Sequence, residues 1–315
     1  MVDYLAKPRT HSVAILTAWE KLCKARRPPK VNLPALARRD APFMNCWLAE
    51  EGWSFISSDF TSLEPSITAS FCQDENYRHA TFTGVGKEPY VHPGTGVLMI
   101  DDIYLMTGSV FPKIGDTILS YFLKAENRRQ WVSDSEVCKK ILKKERNLAK
   151  PACLGFSYGM GPKKFRNSAY DAGLDISPED AAAMYKGYWE VFAGVRQLVK
   201  SLEVAMEKQG ALTNPFGYRL TTEPHKAFNA MIQSSASGVM DILCLKFFQK
   251  LTDSKVAYKF VAVIHDEIIY QVEDCHLELT RQLQDEALTE INQMLGWDIP
   301  MRLGFVVAKT FGEIK

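Results

Sequence analysis

The stretch from Lys259 to Val272 is apolar on both sides of one acidic break, His265-Asp266-Glu267. Such a run reads as two strands joined by a tight turn, because carboxylates among apolar strands are costly unless paired or bound to a cation. A second apolar segment, Trp53-Ser-Phe-Ile-Ser-Ser-Asp59, is rich in aromatic and β-branched residues and also closes on an aspartate. Brought together on one sheet, Asp59 and Asp266 make an oxygen-only donor set suited to two Mg²⁺ ions, with Mn²⁺ as a substitute. Two such ions about 3.5–4 Å apart serve in-line phosphoryl displacement. Taken singly, each acid is also explained as a polar turn residue at a strand end.

Helical patterns fill much of the rest. His11 to Lys24 places Val13, Leu16, Trp19 and Leu22 at helical spacing. Pro28-Pro29 ends that helix, and a basic stretch with Lys30, Arg38 and Arg39 follows. Pro65 suits the first turn of a helix after Asp59. Residues 74–115 hold many glycines and prolines and read as a loop-rich insertion. Helices are expected over 116–165, 178–208, 226–251 and 277–295, a hairpin over 213–222, and a last strand over 301–308. The fold class is α+β.

With 315 residues and 46% hydrophobic content, the chain can bury a large core in one or two domains. A net charge of +1 gives no global sign of a nucleic-acid partner, so local clusters must carry that argument. The seven cysteines are scattered without a C-x-x-C pair, which reads as free thiols in a reducing compartment. Met1 to Leu22 mixes charges into its apolar residues and is no signal peptide, and no run approaches membrane-spanning length. A cytoplasmic protein of a bacterial or phage-infected cell is expected.

Arg146, Lys150, Leu154 and Tyr158 follow one another at intervals of four and share one helix face. Arginine suits bidentate phosphate contact, lysine supplies a compact charge, and an aromatic further along can stack on a base. The bland alternative is a solvated basic helix, and Pro151 inside the stripe invites a kink. Gly84-Val-Gly86-Lys87 only imitates a phosphate loop: Thr81 occupies the first glycine position and Glu88 the Ser/Thr position.

These signatures, in this order, resemble family A DNA polymerases, the group of bacterial DNA polymerase I and many phage replicative enzymes. Asp59-Phe-Thr-Ser-Leu-Glu64 is similar to motif A, Arg146…Lys150…Tyr158-Gly159 to motif B, and His265-Asp266-Glu267 to the core of motif C. Asn229-Ala-Met-Ile-Gln233 is similar to a segment lying along the primer-template. The resemblance implies a palm with a small antiparallel sheet backed by helices, and a mostly helical fingers subdomain. It implies metal-binding roles for Asp59 and Asp266, with Glu267 an auxiliary acid. Arg146 and Lys150 would hold the triphosphate of a dNTP, with Lys150 protonating the pyrophosphate and Tyr104 placed among the nucleotide-binding residues. Tyr158 would guard the insertion site and Glu64 would block a ribose 2′-OH. Asn229, Gln233, His225, His265, Arg38 and Arg39 would touch primer-template DNA.

The chain departs from the family pattern at four of these places. Leu154 stands for Phe or Tyr, Ser62 for Gln, Tyr104 for a phosphate-binding His, and His225 for an Arg. By this reading residues 1–30 form a helical segment, 31–75 and 211–315 the palm, and 76–210 the fingers with an insertion. The likeness begins near Asn32-Leu33-Pro34, leaving no room for a full thumb or an exonuclease domain, which a separate subunit would supply. Two rivals are a single-subunit RNA polymerase, disfavoured by Glu64 and Glu267, and a non-catalytic nucleic-acid-binding subunit, disfavoured by Asp59, Asp266, Arg146 and Lys150.

Overall fold

The computed structural model describes residues 45, 47–171 and 175–314. The expected helix at 11–24, the Asn32-Leu33-Pro34 segment, and Arg38 and Arg39 lie outside the described residues. In chain order the strands are β1 (Trp53–Asp59), β2 (Tyr90–Val91), β3 (Leu98–Met99), β4 (Leu212–Thr213), β5 (Arg219–Leu220), β6 (Tyr258–Ile264), β7 (Glu267–Glu273) and β8 (Val306–Ala308). The first α-helices are α1 (Leu63–Phe71), α2 (Glu75–Arg78), α3 (Ile103–Ser109), α4 (Ile114–Leu123), α5 (Ala125–Ser133) and α6 (Ser135–Ile141). There follow α7 (Lys143–Ser157), α8 (Pro162–Asp171), α9 (Pro178–Val191), α10 (Ala193–Gln209), α11 (Ala227–Asp253) and α12 (Leu277–Leu295). Two compact units result, one combining the chain up to Leu63 with the chain from Ala236 onward, the other spanning Glu64–Ser235.

The first unit is built on a four-stranded antiparallel sheet in the order β6-β7-β1-β8. Strand β1 is central, and its burial from Ser54 to Ser58 explains its apolar and small-polar composition. Alternation puts Phe55, Ser57 and Asp59 on one face and Ser54, Ile56 and Ser58 on the other. On the first face Phe55 and Ile269 pack with Phe311 and Ile314. On the second, Phe247 of α11 packs edge-on against Tyr270 at 5.2 Å, and Ser58 reaches Tyr270 and Gln284 of α12. The final strand is shorter than the expected 301–308. Met301 exchanges both backbone bonds with the Asn292 side chain, and the pairing with the chain after β1 survives only as an isolated Phe60–Leu303 bridge. Gly304 donates its N–H to Asp59 of β1 while its carbonyl accepts from the Gln284 side chain.

The second unit is mainly helical. Helix α3 is approached so closely at Gly108 that a Cβ there would stand 2.8 Å from Ile118 of α4 and 3.3 Å from Ala149 of α7. An aromatic cluster of Phe156, Phe165, Tyr185, Tyr188 and Phe192 fills its interior. The loop-rich reading of 74–115 needs correction. Glycines and prolines crowd only 84–96, around the β2-β3 hairpin, while Asp74 and Asp102 cap helices on either side. The single helix expected over 178–208 is two, α9 and α10, broken at Phe192. The β4-β5 hairpin stands as expected and packs with Met206, Ala227 and Met231.

Candidate active site

The sequence-predicted residues fall into two groups, one in each unit. In the first unit, the antiparallel register of β1 and β7 runs from Trp53 opposite Glu273 to Asp59 opposite Glu267. Asp59 therefore faces the residue next to Asp266, and the backbone confirms the approach: Phe60 N–H donates to the Asp266 carbonyl at 3.0 Å. Asp59 is exposed, Asp266 half-buried and Glu267 buried. Glu267 accepts a hydrogen bond from Ser57 Oγ at 2.6 Å, which satisfies part of a carboxylate that burial would otherwise penalise. His265 and Asp266 form a two-residue turn, with His265 exposed and at φ 58°. Positive φ at the first loop residue is a feature of tight hairpin turns whose twist matches the strands, normally served by glycine. Histidine tolerates that conformation better than most side chains.

Asp59 and Asp266 thus offer hard oxygen donors at adjoining strand ends, accessible to solvent, which fits a divalent cation such as Mg²⁺. A separate trio, Glu273, Cys275 and His276, also lies close together, but at the opposite end of β7. There His276 pairs with Glu273 at 3.2 Å on the surface of a turn.

In the second unit, α7 carries Arg146, Lys150 and Leu154, and Tyr158 is its C-terminal cap. Pro151 sits inside the helix and is exposed, so the ladder bond it lacks is lost on the solvent side. Arg146 Nε donates to Asp102 Oδ2 at 2.8 Å, and its guanidinium carbon lies 4.8 Å from the centre of the Tyr104 ring. Lys150 Nζ lies over the same ring at 5.6 Å. One aromatic ring therefore contacts both cations. Burial pushes the Tyr104 phenol up to about 12, with Arg146 pulling the other way, so it stays neutral near pH 7. Tyr158 donates a hydrogen bond from its hydroxyl to Glu64 Oε2, and burial together with that bond holds its phenol far above the usual range. Leu154 is half-buried on the same face.

His225, exposed just before α11, and Asn229 in its first turns line a cavity of 180 Å³ together with Tyr158, Tyr185, Trp189 and Arg196. Asn229 Oδ1 is buried without a hydrogen-bond partner among the described residues. Gln233, one turn further along, is exposed. Asp102 was not among the sequence-predicted site residues, although an aspartate directly before the apolar run Ile103 to Met106 is the mark of a helix N-cap.

A family model described as DNA polymerase family A matches residues 129–313, more than half of the chain. The chain belongs to DNA polymerase family A. Among curated relatives, DNA polymerase I of Aquifex aeolicus is 21% identical over 266 residues, covering 82% of this chain and 39% of that protein. DNA polymerase I of Treponema pallidum is 20% identical over 326 residues, covering 99% of this chain and 28% of that protein. The chain therefore spans well under half the length of these relatives. A solved structure of the POL domain of Pol1 from M. smegmatis, in complex with DNA primer-template and dNTP, matches with a TM-score of 0.63. That match has 18% identity and covers 91% of this chain and 44% of the other, a likeness of fold. Among the described residues, no helix of this family A chain is long and apolar enough to cross a membrane.

Proposed function

We propose that this chain carries out template-directed DNA synthesis, transferring a nucleotidyl group from a dNTP to the 3′-OH of a primer. The observation that carries the reading is the register that sets Asp59 opposite Glu267, beside Asp266, in a family A chain. Asp59 and Asp266 would hold the Mg²⁺ ions, which when bound activate the primer hydroxyl and stabilise the departing pyrophosphate. Glu267, fixed by Ser57, adds negative charge behind them.

Arg146 and Lys150 would bind the triphosphate. The guanidinium offers paired N–H groups to phosphate oxygens, and the ammonium a mobile proton for the leaving group. Glu64, gripped by Tyr158, would meet the sugar 2′ position and select deoxyribose. Asn229 brings an unpartnered buried acceptor, a group that gains when a donor from primer-template DNA arrives. His225, Gln233 and His265 are exposed and would contribute further DNA contacts.

Primer extension by the isolated chain with Mg²⁺, using dNTPs and rNTPs in parallel, tests the reading. Extension with dNTPs is expected, and extension only with rNTPs would assign an RNA polymerase instead. Asp59→Ala should lower the synthesis rate by about a thousandfold or more while leaving primer-template affinity intact, since a metal ligand serves mainly the transition state. Equal extension by parent and variant would overturn the assignment of Asp59.

A further inference from the structure

We propose that Asp102 is a positioning residue for the incoming triphosphate, holding Arg146 by its Nε edge so that the paired terminal nitrogens of the guanidinium face an anion. The inference rests on the reading of Arg146 as a triphosphate-binding residue. Its support is how the two oxygens of one buried carboxylate divide their work. Oδ1 accepts the N–H groups of Tyr104 at 3.0 Å and Leu105 at 2.9 Å, capping α3. Oδ2 accepts Arg146 Nε at 2.8 Å. The Asp102 side chain is only 4% exposed, so its geometry is set by packing as well as by bonds.

Two further features fix the guanidinium. Tyr104, two residues beyond Asp102, lies beneath it at 4.8 Å, so the cap that orients Asp102 also orients the stacking ring. Among the described residues Arg146 has no other side-chain hydrogen bond, which leaves both terminal nitrogens for a ligand. A free arginine loses considerable rotamer freedom when it binds, and one held in place beforehand loses less. A phosphate oxygen pair matches the remaining fork.

A purely structural reading has Asp102 as a helix cap that happens to neutralise Arg146. Asp102→Asn separates the two. The amide oxygen can replace Oδ1 in the cap, but the amide nitrogen cannot accept from Nε. We expect KM for dNTP to rise about tenfold, with kcat at saturating dNTP within about twofold and primer-template affinity unchanged. The thermal midpoint should fall somewhat, because a buried charge-assisted bond is lost, while kcat does not follow it. Arg146→Lys should show a similar KM rise, and combining it with Asp102→Asn should add little, because both act through one guanidinium.

An unchanged KM in Asp102→Asn, or fully additive effects in the double variant, would overturn the role. A fall in thermal midpoint with kcat and KM shifting together would assign Asp102 to the cap alone. Direct titration of dATP in the presence of primer-template keeps the two levels apart. If the parent binds no dATP, the triphosphate reading fails. If parent and Asp102→Asn bind dATP equally, only the Asp102 role fails.

Discussion

Glu64 and Tyr158 are joined by one hydrogen bond, and under the proposed function that bond bears on which sugar is accepted. Glu64 lies in the first turn of α1, where a helix N-terminus favours negative charge, and it accepts a hydrogen bond from a tyrosine 94 residues away. Without that donor the carboxylate is free to swing. If Glu64 is the sugar gate, Tyr158→Phe should lower the ratio of kcat/KM for dNTP over rNTP by about tenfold, and Glu64→Ala by about a hundredfold. Steady-state incorporation of matched dNTP and rNTP measures both, and an unchanged ratio in Glu64→Ala would remove Glu64 from selection. The sequence singles these residues out through their resemblance to the family motifs. Their bonds were not legible in it. The partners Glu64 and Tyr158, or Asp102 and Arg146, are separated by 94 and 44 residues, and only the folded chain shows which carboxylate meets which donor.

The break between α9 and α10 is made by a third segment of chain. Asn76 Nδ2 donates to the Val191 carbonyl at 2.9 Å, at the end of α9, and Asp74 Oδ2 accepts Gly194 N–H at 2.7 Å, at the start of α10. Asp74 also caps α2 through Tyr77 N–H at 2.9 Å, so one buried carboxylate holds two helix starts. A side chain at 194 would press within 2.8 Å of the Asp74 Cβ, which explains the glycine. Asp74→Ala should therefore destabilise the protein by about 2–3 kcal/mol, the sum expected for a lost cap and a lost charge-assisted bond. Urea unfolding of the variant measures this, and a change under about 0.5 kcal/mol would deny the staple its role. Helical periodicity over 178–208 is continuous and cannot reveal a break imposed by residues 74–76. By contrast α11, α12 and the β6-β7 hairpin stand close to their expected bounds, because their patterns are long and their stop signals local.

At the scale of the whole chain, the sheet that holds Asp59 and Asp266 joins strands more than 200 residues apart in sequence. Apolar strands ending in acids announced the ends of the ladder, but not that β1 would lie between β7 and β8. Behind this sheet, α11 and α12 are tied by exposed charges. Glu290 meets Lys250 at 2.7 Å and Lys246 at 2.9 Å, and Lys250 also meets Glu286. The hydrogen bonds from Lys250 and Lys246 bring the Glu290 carboxyl down to about 2 from its ordinary 4.5. A carboxyl depressed on folding stabilises the native state above its unfolded value and loses that contribution as pH falls through its folded value. The window is therefore about pH 4.5 down to 2, and the effect is modest because water and salt screen exposed pairs. Glu290→Gln cannot titrate, so its urea midpoint should fall less steeply than the parent's between pH 5 and pH 3 in low salt, and the two slopes should converge in 1 M NaCl. Parallel slopes at low salt would mean that these lysines contribute nothing to the joint between α11 and α12 in solution.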